Sequence, residues 1–297
     1  MANPSSAPPL FQQMTICGVG LIGGSLGAIA RGKRLANRVV GLGRGEANLT
    51  LALERGLIDA ATRDPAEAAD GADLVVLATP IRRMAPVLRA MIAALPEHAI
   101  ISDAGSVKEA VIRELEPILG ARMALVGAHP VAGKETTGAA AANADLFAGH
   151  RVIITPSARS TPAAVSKIEM LWRAAGARVE TMTPEMHDRI LARASHLPQI
   201  VSTALAAGLG RTAEGTRAAG YGAGGLRDMT RLAASSAEMW VDICLMNRGA
   251  IVTALAEYRD ALEEFSALMR NADEAGLMKF FERGRALRAE LERTAGK

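Results

Sequence analysis

The sequence predicts an α/β domain built on a mostly parallel sheet and followed by an all-helical region; three observations predict it. Short β-branched runs alternate with helical stretches up to residue 182 of the 297-residue chain, the pattern of βαβ units. Several of those runs, such as Leu74-Val-Val-Leu-Ala78, are apolar without alternation, as strands buried on both faces must be. From residue 183 the strand-like runs stop and long helical patterns take over.

In chain order, strands are expected at 14–17, 38–42, 73–79, 99–103, 124–128, 151–155 and 178–182. Helices are expected near 24–32, 46–55, 82–94, 107–118 and 162–175. Ahead of the first strand, residues 1–13 (MANPSSAPPLFQQ) read as a flexible tail without the basic region of a secretory signal. Two domains follow, at 14–182 and 183–297. In the second, Ser235-Ser-Ala-Glu238 reads as a capping box that opens a long helix. Along it Ile251, Leu255, Tyr258, Leu262, Phe265 and Met269 recur at alternating spacings of four and three. That narrow seam suits a helix of the same chain or a second copy, and both readings stand.

Composition narrows the function. Residues are 49% hydrophobic and 22% charged, the balance of an ordinary globular protein. A net charge of +3 with no Lys/Arg run and only 3% aromatics argues against nucleic acid as a partner. Cys17 and Cys244 make neither a metal nor a redox spacing, so no metal and a reducing cytoplasm are expected. The uncharged stretch 14–30 resembles a membrane helix, but it is short and glycine-rich, and no membrane association is expected.

The same stretch has a better explanation. Gly18-x-Gly20-x-x-Gly23 follows the first strand and opens the first helix. Gly18 allows the tight turn, Gly20 lets the backbone approach a pyrophosphate, and Gly23 lets the helix pack on the strand. The helix N-terminus then favours the anion. Gly18, Gly20, Leu21, Ile22 and Gly23 are therefore expected to bind a dinucleotide. The second strand ends in Gly43-Arg44, where an NAD site usually carries an acidic residue. Arg44 supplies a cation for a 2′-phosphate, which favours NADP with NAD possible; a solvated Arg44, with Glu46 reaching the ribose, is the other reading.

Ligands sit beyond the carboxyl ends of strands in such sheets. Thr79-Pro80, Ser102–Glu109 and His129–Glu135 all follow predicted strands and are expected to converge on the nicotinamide, with Thr79 and Pro80 beside the cofactor. His129 lies among small apolar residues; taken alone it reads as a core histidine, and the convergence argues otherwise. Ser106-Val-Lys-Glu109 also reads as a capping box.

Taken together, GVGLIGGSLG, DAGSVK, GAHPVAGKE, HDRILARASHLPQ and GGLRDMTRLAASSAEMWVDICLMN resemble the prephenate/arogenate (cyclohexadienyl) dehydrogenase family of tyrosine biosynthesis. The resemblance runs from Met14 nearly to the end. It implies a Rossmann-like domain followed by an all-α dimerisation domain, hence a homodimer. It implies oxidative decarboxylation of arogenate or prephenate: hydride leaves ring C4 for NAD(P)⁺, CO₂ is lost, and the ring becomes aromatic. It implies His129 as acceptor for the C4 hydroxyl, Ser106 beside the histidine and nicotinamide, and His196, Arg231 and Glu135 toward the substrate. Arg227 lies four residues before Arg231, Trp240 reads as a core aromatic, and His187 fits the pattern without a role. No appended regulatory domain is expected, and any feedback by tyrosine is expected at the active site or dimer interface. A β-hydroxyacid dehydrogenase would need a catalytic lysine in the helical half, which offers only Lys279 and Lys297. A catalytically silent NADP-sensing dimer would not need His129, Ser106, His196 and Arg231 together.

Overall fold

The computed structural model describes residues 8–133 and 136–295. Eight strands form one sheet: β1 Phe11–Cys17, β2 Ala36–Leu42, β3 Ala60–Thr62, β4 Leu74–Leu77, β5 Ile100–Asp103, β6 Ala124–Pro130, β7 Arg151–Pro156 and β8 Arg178–Thr181, in the order β3-β2-β1-β4-β5-β6-β7-β8. All neighbours pair in parallel except β6 and β7, where His129 lies opposite Ile153. The helices between strands are α1 Leu21–Gly32, α2 Glu46–Glu54, α3 Pro65–Ala69, α4 Ile81–Met91, α5 Glu109–Leu115 and α6 Pro162–Ala174.

The apolar strands bury two faces because each face has its own layer of helices. Leu74, Val76, Val126 and Ile154 pack with Leu26 and Ile29 of α1 and with Ile168 and Trp172 of α6. Val75, Leu77, Ile101 and Leu125 pack with Met84 and Leu88 of α4 and with Val111 of α5. Adjacent residues of β4 thus serve opposite layers, which is why its sequence does not alternate.

The sheet begins earlier than the sequence suggested. Phe11 is buried, and the Asp73 carboxylate accepts the Gln12 and Gln13 backbone N–H groups at 3.0 and 2.9 Å. Residues 11–13 therefore belong to β1; residues 1–7 lie outside the described residues. The stretch 14–30 is a strand, a turn and a helix, and among the described residues no single helix is long and apolar enough to cross a membrane.

Beyond the sheet come α7 Pro184–Leu191, a π-helical turn Ala192–His196, α8 Leu197–Leu209, α9 Ala213–Ala219, α10 Gly224–Thr230, a 3₁₀ turn Arg231–Ala234 and α11 Ala237–Met246. Pro198 has no N–H to return to the preceding turn, so the widened turn falls where the regular ladder cannot continue. The predicted long helix from Ser235 is in fact broken at Asn247, and Ser236 rather than Ser235 caps α11, accepting from Met239 N at 3.4 Å. A capping box would then need its acidic residue at Met239, one place after Glu238.

The chain divides after Arg248 into two compact units. The second contains most of α12 Arg248–Arg270 and all of α13 Glu274–Ala295. Phe265 of the predicted seam stacks on Phe280 and Phe281 of α13, with ring centroids 5.3 and 5.9 Å apart, whereas Leu262 and Met269 are exposed. The seam thus packs partly within its own chain and leaves part of its apolar side uncovered.

Candidate active site

Between β1 and β4 the strand order reverses, and the helices that follow them, α1 and α4, lie on opposite faces of the sheet. This opens a crevice at the carboxyl ends of the two strands. Gly18 turns the chain there with φ +98°, and a Cβ on it would sit 2.7 Å from the Ala78 carbonyl oxygen. A Cβ on Gly23 would strike the Gly18 carbonyl oxygen at 2.2 Å, so this glycine lets α1 close onto the turn. Gly20 differs: nothing lies within 4 Å of where its Cβ would be. Leu21 and Ile22 open α1, whose first turn carries no acidic residue and whose N-terminus no side chain caps. On the β4 side, Thr79 Oγ1 is buried, and no described residue hydrogen-bonds it. Pro80 follows at the N-cap of α4. An open cradle, an uncapped helix N-terminus and an orphaned hydroxyl fit a dinucleotide, whose pyrophosphate the turn and helix N-terminus would hold. Arg44 is exposed two residues past β2, as is Glu46 at the start of α2.

His129 sits near the carboxyl end of β6 and is 8% exposed. Its Nδ1 meets His187 Nε2 at 2.8 Å, and His187 Nδ1 meets Asp188 Oδ1 at 2.7 Å. Asp188 also accepts the backbone N–H groups of Lys108 and Glu109, at 2.8 and 3.0 Å. One carboxylate on α7 therefore caps α5 and terminates a chain of two imidazoles. Burial holds the His129 pKa well below the usual 6.5, and the neighbouring His187, Lys108 and His196 push the same way. His187 is lowered as well by burial, against the pull of Asp188.

Under His129 lies a fully buried ion pair. Asp103 at the end of β5 bonds the Lys108 ammonium, which also donates to the Ala128 carbonyl at 2.9 Å. The Asp103 carboxylate accepts from Gly105 N at 2.8 Å and from Ala128 N at 3.2 Å. Burial lowers the Lys108 pKa, with Asp103 opposing. This knot ties the loop after β5 to the residue preceding His129. Half-buried Ser106 is on that loop and does not cap α5; the N-cap position is Lys108, and Asp188 supplies the acceptor. Drawing the Lys108 side chain into the core keeps residues 104–108 in a loop and starts the helix later than the sequence pattern implied.

His196 ends the π-helical turn and is 1% exposed. Asn247 Nδ2 lies 3.2 Å from its Nδ1, and its Nε2 is buried with no partner among the described residues. Burial takes its pKa down to about 4. Trp240 stands edge-on to it, with ring centroids 5.9 Å apart, and packs against the α4–α5 core as expected of a core aromatic. Arg231 begins the 3₁₀ turn after α10 and is exposed. That turn is held to α8 by Gln199, which donates to the Leu232 carbonyl at 2.7 Å, three residues past His196. Glu135 lies outside the described residues.

The structure thus joins His129, through His187 and Asp188, to the loop that carries Ser106, and it ties the Arg231 turn to the helix that starts at His196. Sequence reasoning missed Asp103, Lys108, Asp188 and Asn247 and gave His187 no role. A lysine five residues after an aspartate at the end of an apolar strand was one usable signal, because such charges enter a core only as a pair. Asn247 offered no sequence signal.

The comparisons agree over most of the chain. The family profile described as "Prephenate dehydrogenase, nucleotide-binding domain" matches residues 26–181, and "Prephenate dehydrogenase, dimerization domain" matches residues 183–283. A cyclohexadienyl dehydrogenase of Zymomonas mobilis is 34% identical over 285 residues, covering 95% of this chain and 97% of that protein. The structure of prephenate dehydrogenase from Aquifex aeolicus in complex with hydroxyphenyl propionate and NAD⁺ superposes with TM-score 0.88 at 32% identity, covering 94% of this chain and 98% of that one. Synechocystis arogenate dehydrogenase gives TM-score 0.82 at 27% identity, covering 94% and 99%. With a Rossmann-like domain, a helical C-terminal region and both halves of the family profile in place, the chain belongs to the prephenate dehydrogenase family.

Proposed function

We propose that this chain catalyses the oxidative decarboxylation of prephenate, arogenate or both, preferring NADP⁺ to NAD⁺. The observation that carries the reading is His129: buried, held neutral, and engaged at Nδ1 by His187, so that Nε2 is the nitrogen left for the substrate. A bound nicotinamide supplies the acceptor for the hydride that leaves C4. His129 takes the C4 hydroxyl proton at Nε2 as the carbon–oxygen bond becomes a carbonyl. It returns the proton to that oxygen when loss of CO₂ makes the ring aromatic. Ser106 borders the histidine and nicotinamide, Arg231 grips a substrate carboxylate, His196 binds the substrate side chain, and Glu135 helps close or polarise the site. Gly18, Gly20, Leu21, Ile22, Gly23, Thr79 and Pro80 hold the cofactor, and Arg44 accounts for the NADP preference.

The active form is a homodimer built on the helical half. Exposed Met239 and Leu245 on α11 support this reading, and so, by themselves, do exposed Leu262, Met269 and Phe281 in the second unit, since large apolar side chains left to solvent are candidates for burial against a partner. The family profile over residues 183–283 names a dimerization domain. The test of function is direct: purified protein mixed with NADP⁺ and prephenate, or with NADP⁺ and arogenate, is followed by the near-ultraviolet absorbance of reduced nicotinamide. Growth that needs both reactants and is accompanied by CO₂ release is expected. No growth with either substrate and either cofactor contradicts the reading.

A further inference from the structure

The two histidines assigned to the substrate, His129 and His196, are held in opposite tautomers by residues outside the set that the sequence singled out. Consider His129 first. The Asp188 carboxylate has only acceptor sites, so His187 carries its proton on Nδ1 and presents a bare Nε2. His129 must then donate from Nδ1 across the 2.8 Å contact, which leaves its own Nε2 bare. At His196 the logic inverts. Asn247 Nδ2 donates to the Asp188 backbone carbonyl at 2.9 Å, and because a carbonyl only accepts, this fixes which end of the amide is nitrogen. The second N–H of the same nitrogen points at His196 Nδ1, 3.2 Å away. A neutral imidazole that accepts at Nδ1 carries its proton on Nε2, the buried atom with no partner among the described residues.

We propose that Asp188 and Asn247 are positioning residues that set these states. The Asp188 carboxylate holds His129 as an acceptor at Nε2, and Asn247, anchored on the carbonyl of the same Asp188, holds His196 as a donor at Nε2. The inference rests on the roles given above to His129 and His196, and it deepens them. A hydroxyl that must lose a proton needs the acceptor, and a substrate carboxylate needs the donor. Two chemically identical rings are made into one of each by a single shared anchor. The charged and titratable groups around His129 are His187, Lys108 and His196, and those around His196 are Asp188 and His187.

The test is ¹⁵N NMR of ligand-free, imidazole-labelled protein, with signals assigned through single histidine-to-glutamine variants. Pyrrole-type nitrogen is expected at Nδ1 of His129 and His187 and at Nε2 of His196. In Asp188→Asn, whose amide can donate to His187, the protons of His187 and His129 should move to Nε2, and kcat should fall by about 10²- to 10⁴-fold. Because Asp188 also caps α5, Asn247→Asp serves as the second variant. Its carboxylate should place a proton on His196 Nδ1. On the alkaline side, where His196 is neutral and Nε2 bare, the substrate KM should rise about tenfold or more, with the effect falling on KM more than on kcat. A wild-type spectrum with Nε2–H on His129 or Nδ1–H on His196 overturns the proposal, as does a variant that leaves the tautomers unchanged. The stated tautomers without dehydrogenase turnover would instead overturn the functional reading.

Discussion

Replacing Gly20 with alanine separates folding from cofactor binding. Its backbone, at φ −99° and ψ −151°, is extended and open to any residue, and its Cβ would meet nothing within 4 Å. The substitution should leave stability near wild type or raise it by about 0.4–1 kcal/mol through the unfolded chain. Gly18→Ala is the control. It forces φ +98° on a residue with a side chain, at about 1–2 kcal/mol, and drives the Cβ to 2.7 Å from the Ala78 carbonyl oxygen, so it should destabilise clearly. Gly20→Ala should instead act on the ligand. A methyl where the pyrophosphate settles is an overpacking error of about 1–3 kcal/mol, a weakening of NADP⁺ binding by about 5- to 150-fold. Thermal unfolding and equilibrium dialysis with NADP⁺ read the two effects separately. Wild-type NADP⁺ affinity in Gly20→Ala, or a melting temperature as low as that of Gly18→Ala, would refute the reasoning.

Other perturbations follow from the same geometry. Arg44→Ala should weaken NADP⁺ selectively, by about 1.5–3 kcal/mol for a lost charged hydrogen bond; equal wild-type efficiency with NAD⁺ and NADP⁺ would sink that assignment. Lys108→Met strands the buried Asp103 carboxylate and should cost about 3–5 kcal/mol in denaturant unfolding; a loss under about 1 kcal/mol would mean that the pair is not holding the loop. His196 binds a proton near pH 6.5 when unfolded but only near about 4 when folded, so the unfolded state holds more protons between those values. Stability should therefore rise with pH through that window, by at most about 3 kcal/mol, and His196→Gln should flatten the rise; an identical profile in the variant argues against a neutral buried His196.

Elements whose burial leaves a compositional trace were legible. The seven predicted strands all exist: runs such as Leu74–Leu77 bury both faces, while β8, an edge strand, is mostly exposed. The strand Ala60–Thr62 was not found, since three residues of small side chain give no periodicity. The start of β1 was missed because Phe11-Gln-Gln13 adjoins a Pro/Ser-rich tail and owes its place to Asp73, sixty residues away. The antiparallel turn of β7 is invisible for a related reason: strand direction depends on what the chain pairs with. In the site, His129 stood out because a polar ring followed a strand end. Its fixed orientation did not, because His187 is 58 residues away and the Asn247 contact to His196 spans 51. Neither predicted capping box formed: at α5 the tertiary acceptor Asp188 takes the cap, and at α11 Ser235 turns to Gln199 Oε1 at 3.4 Å while the next residue, Ser236, caps the helix.

The central claim is that His129 accepts the C4 hydroxyl proton, and His129→Asn tests it most directly, since the amide keeps a hydrogen-bonding group but cannot take a proton. Steady-state rates with prephenate or arogenate should show kcat lowered by about 10²- to 10⁴-fold, with NADP⁺ affinity unchanged. The wild-type acid limb of kcat/KM should lie below pH 6.5, because burial and the neighbouring His187, Lys108 and His196 hold the His129 pKa down, and that limb should be absent from the variant. A variant with near-normal kcat and the same acid limb would contradict the account and return His129 to the role of a buried core histidine.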